Sequence, residues 1–196
     1  MSGKRYQAVV IGVSAGGPDV LHSILSALPA YFPVPIIIVQ HTSPHSENYI
    51  VVYLDNVSAL SVKEAEEKKV IMPGNIYFAP PNYHLLIETD FTFSFSVEAK
   101  VNFSRPSVDV LFDTAVDAYG KALIGIILTG ANKDGSMGLN KIKTAGGLTI
   151  VQSPDTALAR AMPEAAIAGT AVDHILPPDG IGSFLCQLFG ESNECR

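Results

Sequence analysis

The stretch Val9-Val10-Ile11-Gly12-Val13-Ser14-Ala15-Gly16-Gly17-Pro18 joins a β-branched apolar run to a turn of small residues carrying one hydroxyl. An amphipathic pattern follows at once: Val20, Leu21, Ile24, Leu25 and Leu28 share one face of a helix predicted over 17–28. Residues 7–13 are then a buried strand, and Ser14 stands where the strand hands over to the helix. Glycines at 12, 16 and 17 let the backbone turn sharply and approach a ligand. The first free N–H groups of the helix can bind an anion or an oxyanion. A phosphate site and a serine nucleophile both satisfy this stretch.

Working outward, Pro33-Val34-Pro35-Ile36-Ile37-Ile38-Val39-Gln40-His41 holds an unbroken apolar run, as expected of a parallel strand covered on both faces. The opening is β-α-β with a right-handed crossover. Thr42-Ser43-Pro44 reads as a loop and helix start, with a short helix over 47–54. Between about 61 and 105, Pro73-Gly74-Asn75 and Pro80-Pro81-Asn82 punctuate short runs such as Ile76–Ala79 and Phe91–Phe95, predicting short strands and hairpins added to the main sheet. Arg105-Pro106-Ser107 marks the return to α/β, with Ser107 an N-cap for a helix through Val110, Leu111, Ala115 and Val116. The apolar strand 123–129, the turn Gly130-Ala131-Asn132-Lys133-Asp134-Gly135 and a helix to about Ala145 repeat the opening layout. A strand over 148–151, a helix over 157–168 interrupted by Pro163, and a closing helix over 180–189 complete a three-layer, doubly wound, mainly parallel α/β fold. No composition break divides the 196 residues, which are expected to form one domain.

In such a sheet, ligands sit beyond the carboxyl ends of the strands. Ser14, His41 and Asp134 all fall there, and they are the residue types of a hydrolytic triad. His41 would take the Ser14 proton, Asp134 would orient the imidazolium, and backbone N–H groups around Ala15, Gly16 and Gly17 would hold the oxyanion. Each also has a structural reading: a helix cap for Ser14, a strand-end histidine for His41, a turn residue for Asp134. Gly12-Val13-Ser14-Ala15-Gly16 fits the short nucleophile-elbow pattern, but the order Ser, His, Asp is not that of the α/β-hydrolases. A nucleotide-binding module is the main rival, since Gly12, Ser14 and Gly17 approximate G-x-G-x-x-G. Gln40-His41 stands where the ribose-binding acid belongs, however, and no Walker-type Gly-Lys-Ser/Thr occurs.

A net charge of −6 disfavours a general nucleic-acid binder. No signal sequence and no run long enough to span a bilayer is seen, so a cytoplasmic protein without membrane insertion is expected. Cys186 and Cys195 give no disulfide framework, and Cys186, in an apolar helical pattern, reads as core. His41 and His45 have metal-ligand spacing, but Pro44 and the lack of a carboxylate cluster argue against a metal. Arg105 and His84 lie beside loops and could contact substrate, although Arg105 could equally pair with a surface carboxylate.

Ile11–Gly17, Gln40-His41, Tyr77-Phe78-Ala79-Pro80-Pro81, Arg105–Phe112, Leu128-Thr129-Gly130 with Asp134-Gly135, and Met162-Pro163 resemble, in the same order, the catalytic domain of CheB-type chemotaxis protein-glutamate methylesterases. The resemblance implies hydrolysis of glutamate γ-methyl esters on the methylated cytoplasmic region of chemoreceptors, releasing methanol, with glutamine deamidation in some members. It places the nucleophile on Ser14, the histidine on His41 and the aspartate on Asp134, and implies no metal or organic cofactor. Two departures stand out. The chain begins directly at the first catalytic strand, so no receiver domain is expected within it and control would fall to a separate partner chain. Ala131 replaces a methionine that helps shape the oxyanion site, and Lys133 adds a charge beside Asp134. A catalytically weakened regulatory or binding protein of a chemosensory pathway is therefore the alternative reading.

Overall fold

The computed structural model describes residues 6–41 and 49–190. His45, Cys195, the expected loop and helix start over 42–44 and the first two residues of the helix expected over 47–54 lie outside them. The chain runs β1 (Ala8–Val13), α1 (Gly17–Leu25), β2 (Ile36–Gln40), α2 (Tyr49–Val57), β3 (Ser61–Glu64), β4 (Asn75–Phe78), β5 (His84–Ile87), β6 (Phe93–Ser96), α3 (Val108–Tyr119), β7 (Leu123–Ile127), α4 (Ser136–Thr144), β8 (Leu148–Gln152), α5 (Ala161–Gly169), β9 (His174–Leu176) and α6 (Pro178–Gly190). A parallel sheet of seven strands, in the order β3-β4-β2-β1-β7-β8-β9, forms the central layer.

Every residue of β1, β2 and β7 is buried, as their unbroken apolar runs require when helices cover both faces. Alternation along β1 divides the core. Val9, Ile11 and Val13 face α1, α2 and α6, where Leu21, Ile24, Leu25, Ile181 and Leu185 pack. Ala8 and Val10 face α3, α4 and α5, with Leu111, Phe112, Leu139, Ile142 and Ala166. Each fully buried aliphatic side chain contributes about 1.5–3 kcal/mol over leaving it exposed. The connection after β1 passes through α1 on one face and that after β7 through α4 on the other, so a crevice opens between these neighbouring strands at their carboxyl ends. Both helices are entered through a left-handed glycine, Gly16 at φ 81° and Gly135 at φ 93°, a conformation that costs other residues strain.

The helix expected to end at residue 54 runs on as α2 to Val57, and the sequence and the fold differ in four further places. β3 and β4 extend the parallel sheet, whereas β5 and β6 do not join it. They pair with each other as a separate antiparallel ribbon that buries Leu85, Ile87 and Phe93 in the core on the α3 side. An alternating pattern specifies one covered face and does not say which layer covers it. Pro163 does not interrupt a helix: α5 starts at Ala161, which leaves the proline in the first turn, where its missing N–H has no intrahelical acceptor to lose. α1 ends at Leu25 rather than Leu28. β9 was not anticipated, being three residues long with Ile175 exposed. Among the described residues, no helix is long and apolar enough to cross a membrane.

Candidate active site

Val13 and Gln40 are register partners at the ends of β1 and β2, and the His41 N–H donates to the Val13 carbonyl at 3.0 Å. Ser14 and His41 therefore leave the sheet side by side. Asp134 arrives from the turn between β7 and α4, and the His41 ring meets it, Nε2 to Oδ2, at 2.9 Å. The other ring nitrogen, Nδ1, is shielded from solvent and has no hydrogen-bond partner among the described residues. A carboxylate can only accept, so Nε2 carries the proton and Nδ1 keeps its lone pair.

Asp134 is buried and surrounded by donors. Besides His41, its Oδ2 accepts the Val108 N–H at 2.7 Å, and its Oδ1 accepts the Ser107 hydroxyl at 2.8 Å, the Asn102 amide at 3.0 Å and the Asp109 N–H at 3.2 Å. The carboxylate thus sits at the N-terminus of α3, where free N–H groups and the helix dipole favour negative charge. Burial pushes its pKa up. The hydrogen bonds from His41, Asn102, Val108 and Ser107 outweigh that and hold the carboxyl below its ordinary range. Ser107 occupies the expected N-cap position but makes no side-chain bond to its own helix, because its hydroxyl is committed to Asp134. Asn102 also donates to Asp109 Oδ2 at 2.8 Å. Burial, helped by the Asp134 charge, raises the Asp109 carboxyl above its usual value despite bonds from Gly138, Gly135 and Asn102.

The turn after β1 is held from below. The Gln40 side-chain amide donates to the Ser14 carbonyl at 2.9 Å and the His41 carbonyl at 3.1 Å, joining the two strand ends. Its Oε1 is buried and has no partner among the described residues; it lies under Gly17, where an added Cβ would approach it to 2.0 Å. The Ser14 N–H donates to the Thr129 carbonyl at 2.9 Å, and the Thr129 hydroxyl donates to the Ala15 carbonyl at 2.8 Å. Gln152 Oε1 accepts the Thr129 N–H at 2.8 Å. At Gly130, a Cβ would stand 1.9 Å from Met162 Sδ and 2.9 Å from Ser14 Cβ, so Met162 closes the floor beside the serine.

Of the expected oxyanion donors, Gly17 is committed: its N–H bonds the Ser14 carbonyl at 3.0 Å. The N–H groups of Ala15, Gly16 and Ala131 make no hydrogen bond among the described residues, and Ala15 and Ala131 are exposed. Among the described residues, Arg105 forms no ion pair with a carboxylate. Its Nη1 donates to the carbonyls of Val97, at 2.6 Å, and Glu98, at 2.9 Å. His84 is buried, its Nδ1 accepting the Ser107 N–H and its Nε2 donating to the Ala99 carbonyl, so it braces the entry to α3 and has no free face for substrate. Cys186 is partly buried against the α1 side of the core, as its pattern suggested. Asn102, Ser107, Gln40, Thr129 and Met162 complete the cluster. Gln40, Thr129 and Met162 stand within the sequence motifs, where nothing local assigns them these roles, Ser107 reads in the sequence as a helix N-cap, and Asn102 carries no local signal.

Fold and cluster together define a doubly wound α/β domain with serine, histidine and aspartate gathered at its switch point. The chain belongs to the CheB methylesterase family, whose model matches residues 9–185. A Leptospira interrogans protein, provisionally named a protein-glutamate methylesterase/protein-glutamine glutaminase, is 52% identical over 192 residues, covering 98% of this chain and all of that one. The Thermotoga maritima protein-glutamate methylesterase/protein-glutamine glutaminase is 38% identical and aligns over 92% of this chain and 53% of its own length. The crystal structure of the Thermotoga maritima CheB methylesterase catalytic domain superposes with a TM-score of 0.90 at 38% identity, covering 93% of this chain and 98% of that one.

Proposed function

We propose that the chain is a serine hydrolase that removes methyl esters from glutamate side chains of chemoreceptor cytoplasmic regions, and that it also deamidates glutamine, as the names of its relatives pair the two activities. One observation carries the reading: the His41 ring is bonded through Nε2 to a buried carboxylate, keeps Nδ1 unspent, and leaves the sheet beside Ser14.

Ser14 Oγ attacks the ester carbonyl carbon while its proton passes to His41 Nδ1. Asp134 stabilises the imidazolium through the Nε2–H bond and is itself kept ionised by its five donor groups. Free N–H groups of Ala15, Gly16 and Ala131 supply the oxyanion with donors that need no rearrangement. The carbon–methoxy bond then breaks, methanol departs with the proton held by His41, and water repeats the sequence on the acyl-serine to release a free glutamate. For glutamine the same proton goes to departing ammonia. Ala131 contributes through its backbone here, so a methionine side chain is not required of that position for the oxyanion role.

A serine-directed fluorophosphonate tests the nucleophile. Peptide mass spectrometry should find the adduct on Ser14 in the wild-type chain, with labelling slowed at least about a hundredfold by His41→Ala. An adduct elsewhere, or equal labelling of both proteins, contradicts the assignment.

A further inference from the structure

Val101 to Ser104 form an isolated tight turn. Val101 and Ser104 exchange backbone hydrogen bonds at 3.2 and 2.9 Å, and the two residues between them, Asn102 at φ 49° and Phe103 at φ 64°, are both left-handed. That is the pattern of a type I′ turn, which favours Asn-Gly. Asn102 suits its place. Phe103 does not: a bulky side chain in this region is strained, and glycine there would relieve the strain. Phe103 offsets nothing by burial, because 96% of it is exposed.

The turn is fixed to the candidate site on both sides. Asn102 donates to Asp134 Oδ1 at 3.0 Å, and Ser104 Oγ accepts from the Asn132 amide at 3.3 Å. The aromatic ring is thus carried on a rigid two-residue tip beside the carboxylate end of the cluster. At the serine end, Leu158, 79% exposed, lies against Gly16. Lys100 and Lys133 flank the tip, are exposed, and make no ion pair among the described residues, in a chain of net charge −6.

We infer that Phe103 is a specificity-determining residue for the protein substrate, packing on an apolar patch beside the reactive glutamate while Lys100 and Lys133 meet carboxylates around it. This rests on the proposed function and adds what the site reads outside the ester. An aromatic side chain on a fixed backbone has only two torsions to order on binding, which is what makes such residues effective anchors. Glutamates already freed by the proposed hydrolysis would carry the complementary charge, and a small ester in solution offers neither feature.

The test compares kcat/KM of the full chain on two substrates, a methyl-esterified chemoreceptor cytoplasmic fragment and a free N-acetylglutamate γ-methyl ester. For Phe103→Gly, the ratio of protein to small-ester kcat/KM should fall about tenfold, through KM on the protein substrate, while the thermal midpoint does not drop. An unchanged ratio overturns the inference. So does an equal loss on both substrates, which would mean the turn acts only by holding Asp134. Ser14→Ala, run alongside, separates the two levels: full turnover by that variant overturns the reading of the site, and the inference with it, whereas Ser14-dependent turnover indifferent to Phe103 overturns the inference alone.

Discussion

His41 is bonded to Asp134 through Nε2, so Nδ1, the ring nitrogen nearer the backbone, is the one without a hydrogen-bond partner among the described residues. The ring is therefore oriented by a carboxylate that five groups from three separate segments hold in place, at Asn102, Ser107 to Asp109, and His41.

Asp134→Asn replaces a carboxylate by an amide that accepts through one oxygen and turns two N–H groups toward donors. The His41 tautomer loses its determinant, and turnover should fall about 10³–10⁴-fold. Steady-state kinetics on a purified, folded variant measures this.

The same substitution should destabilise the fold by about 2–3 kcal/mol at neutral pH, since buried donors lose charged acceptors. The folded pKa of Asp134 is depressed, so its contribution is complete above the unfolded value of about 4 and is lost as pH falls through the lower folded value. Denaturant melts should show the gap between wild type and Asp134→Asn constant from pH 7 to 5 and narrowing below pH 4.

Gln40→Leu leaves the Ser14 and His41 carbonyls without their side-chain donor while preserving volume. A cost of about 1–3 kcal/mol is expected, together with a kcat loss larger than any change in KM, because the two strand ends lose their shared tie. Denaturant melts and initial rates check both.

Gly130→Ala drives a methyl group into Met162 and against Ser14. Overpacking of this kind costs about 1–3 kcal/mol, and displacement of the serine should suppress activity. Adding Met162→Ala removes the first collision, so the double variant should be more active than Gly130→Ala alone. Equal activities would show that Met162 does not set the floor of the site.

The positions of Ser14 and His41 at strand ends, and of Asp134 in the turn after β7, were legible because β1, β2 and β7 are apolar on both faces and each ends in an abrupt change of composition. Of the ribbon β5–β6 only the run over 91–95 was legible as a strand, and its place in a separate layer was not, since Leu85, Ile87 and Phe93 declare only that one face is covered. What surrounds Asp134 was not legible. Asn102 and Ser107 reach it from 32 and 27 residues away, and a serine ahead of a helix reads the same whether its hydroxyl serves that helix or another residue. Arg105 and His84 had the chemistry of substrate contacts and turn out to hold backbone, which local sequence does not distinguish.

The most direct test is methanol release from methyl-esterified chemoreceptor cytoplasmic fragments by the wild-type chain and by Ser14→Ala. Release by the wild type and its loss in the variant, with the melting profile unchanged, is the expected result. Equal release by both proteins would contradict the serine mechanism. No release by either, on fragments that a proven methylesterase does hydrolyse, would contradict the proposed activity.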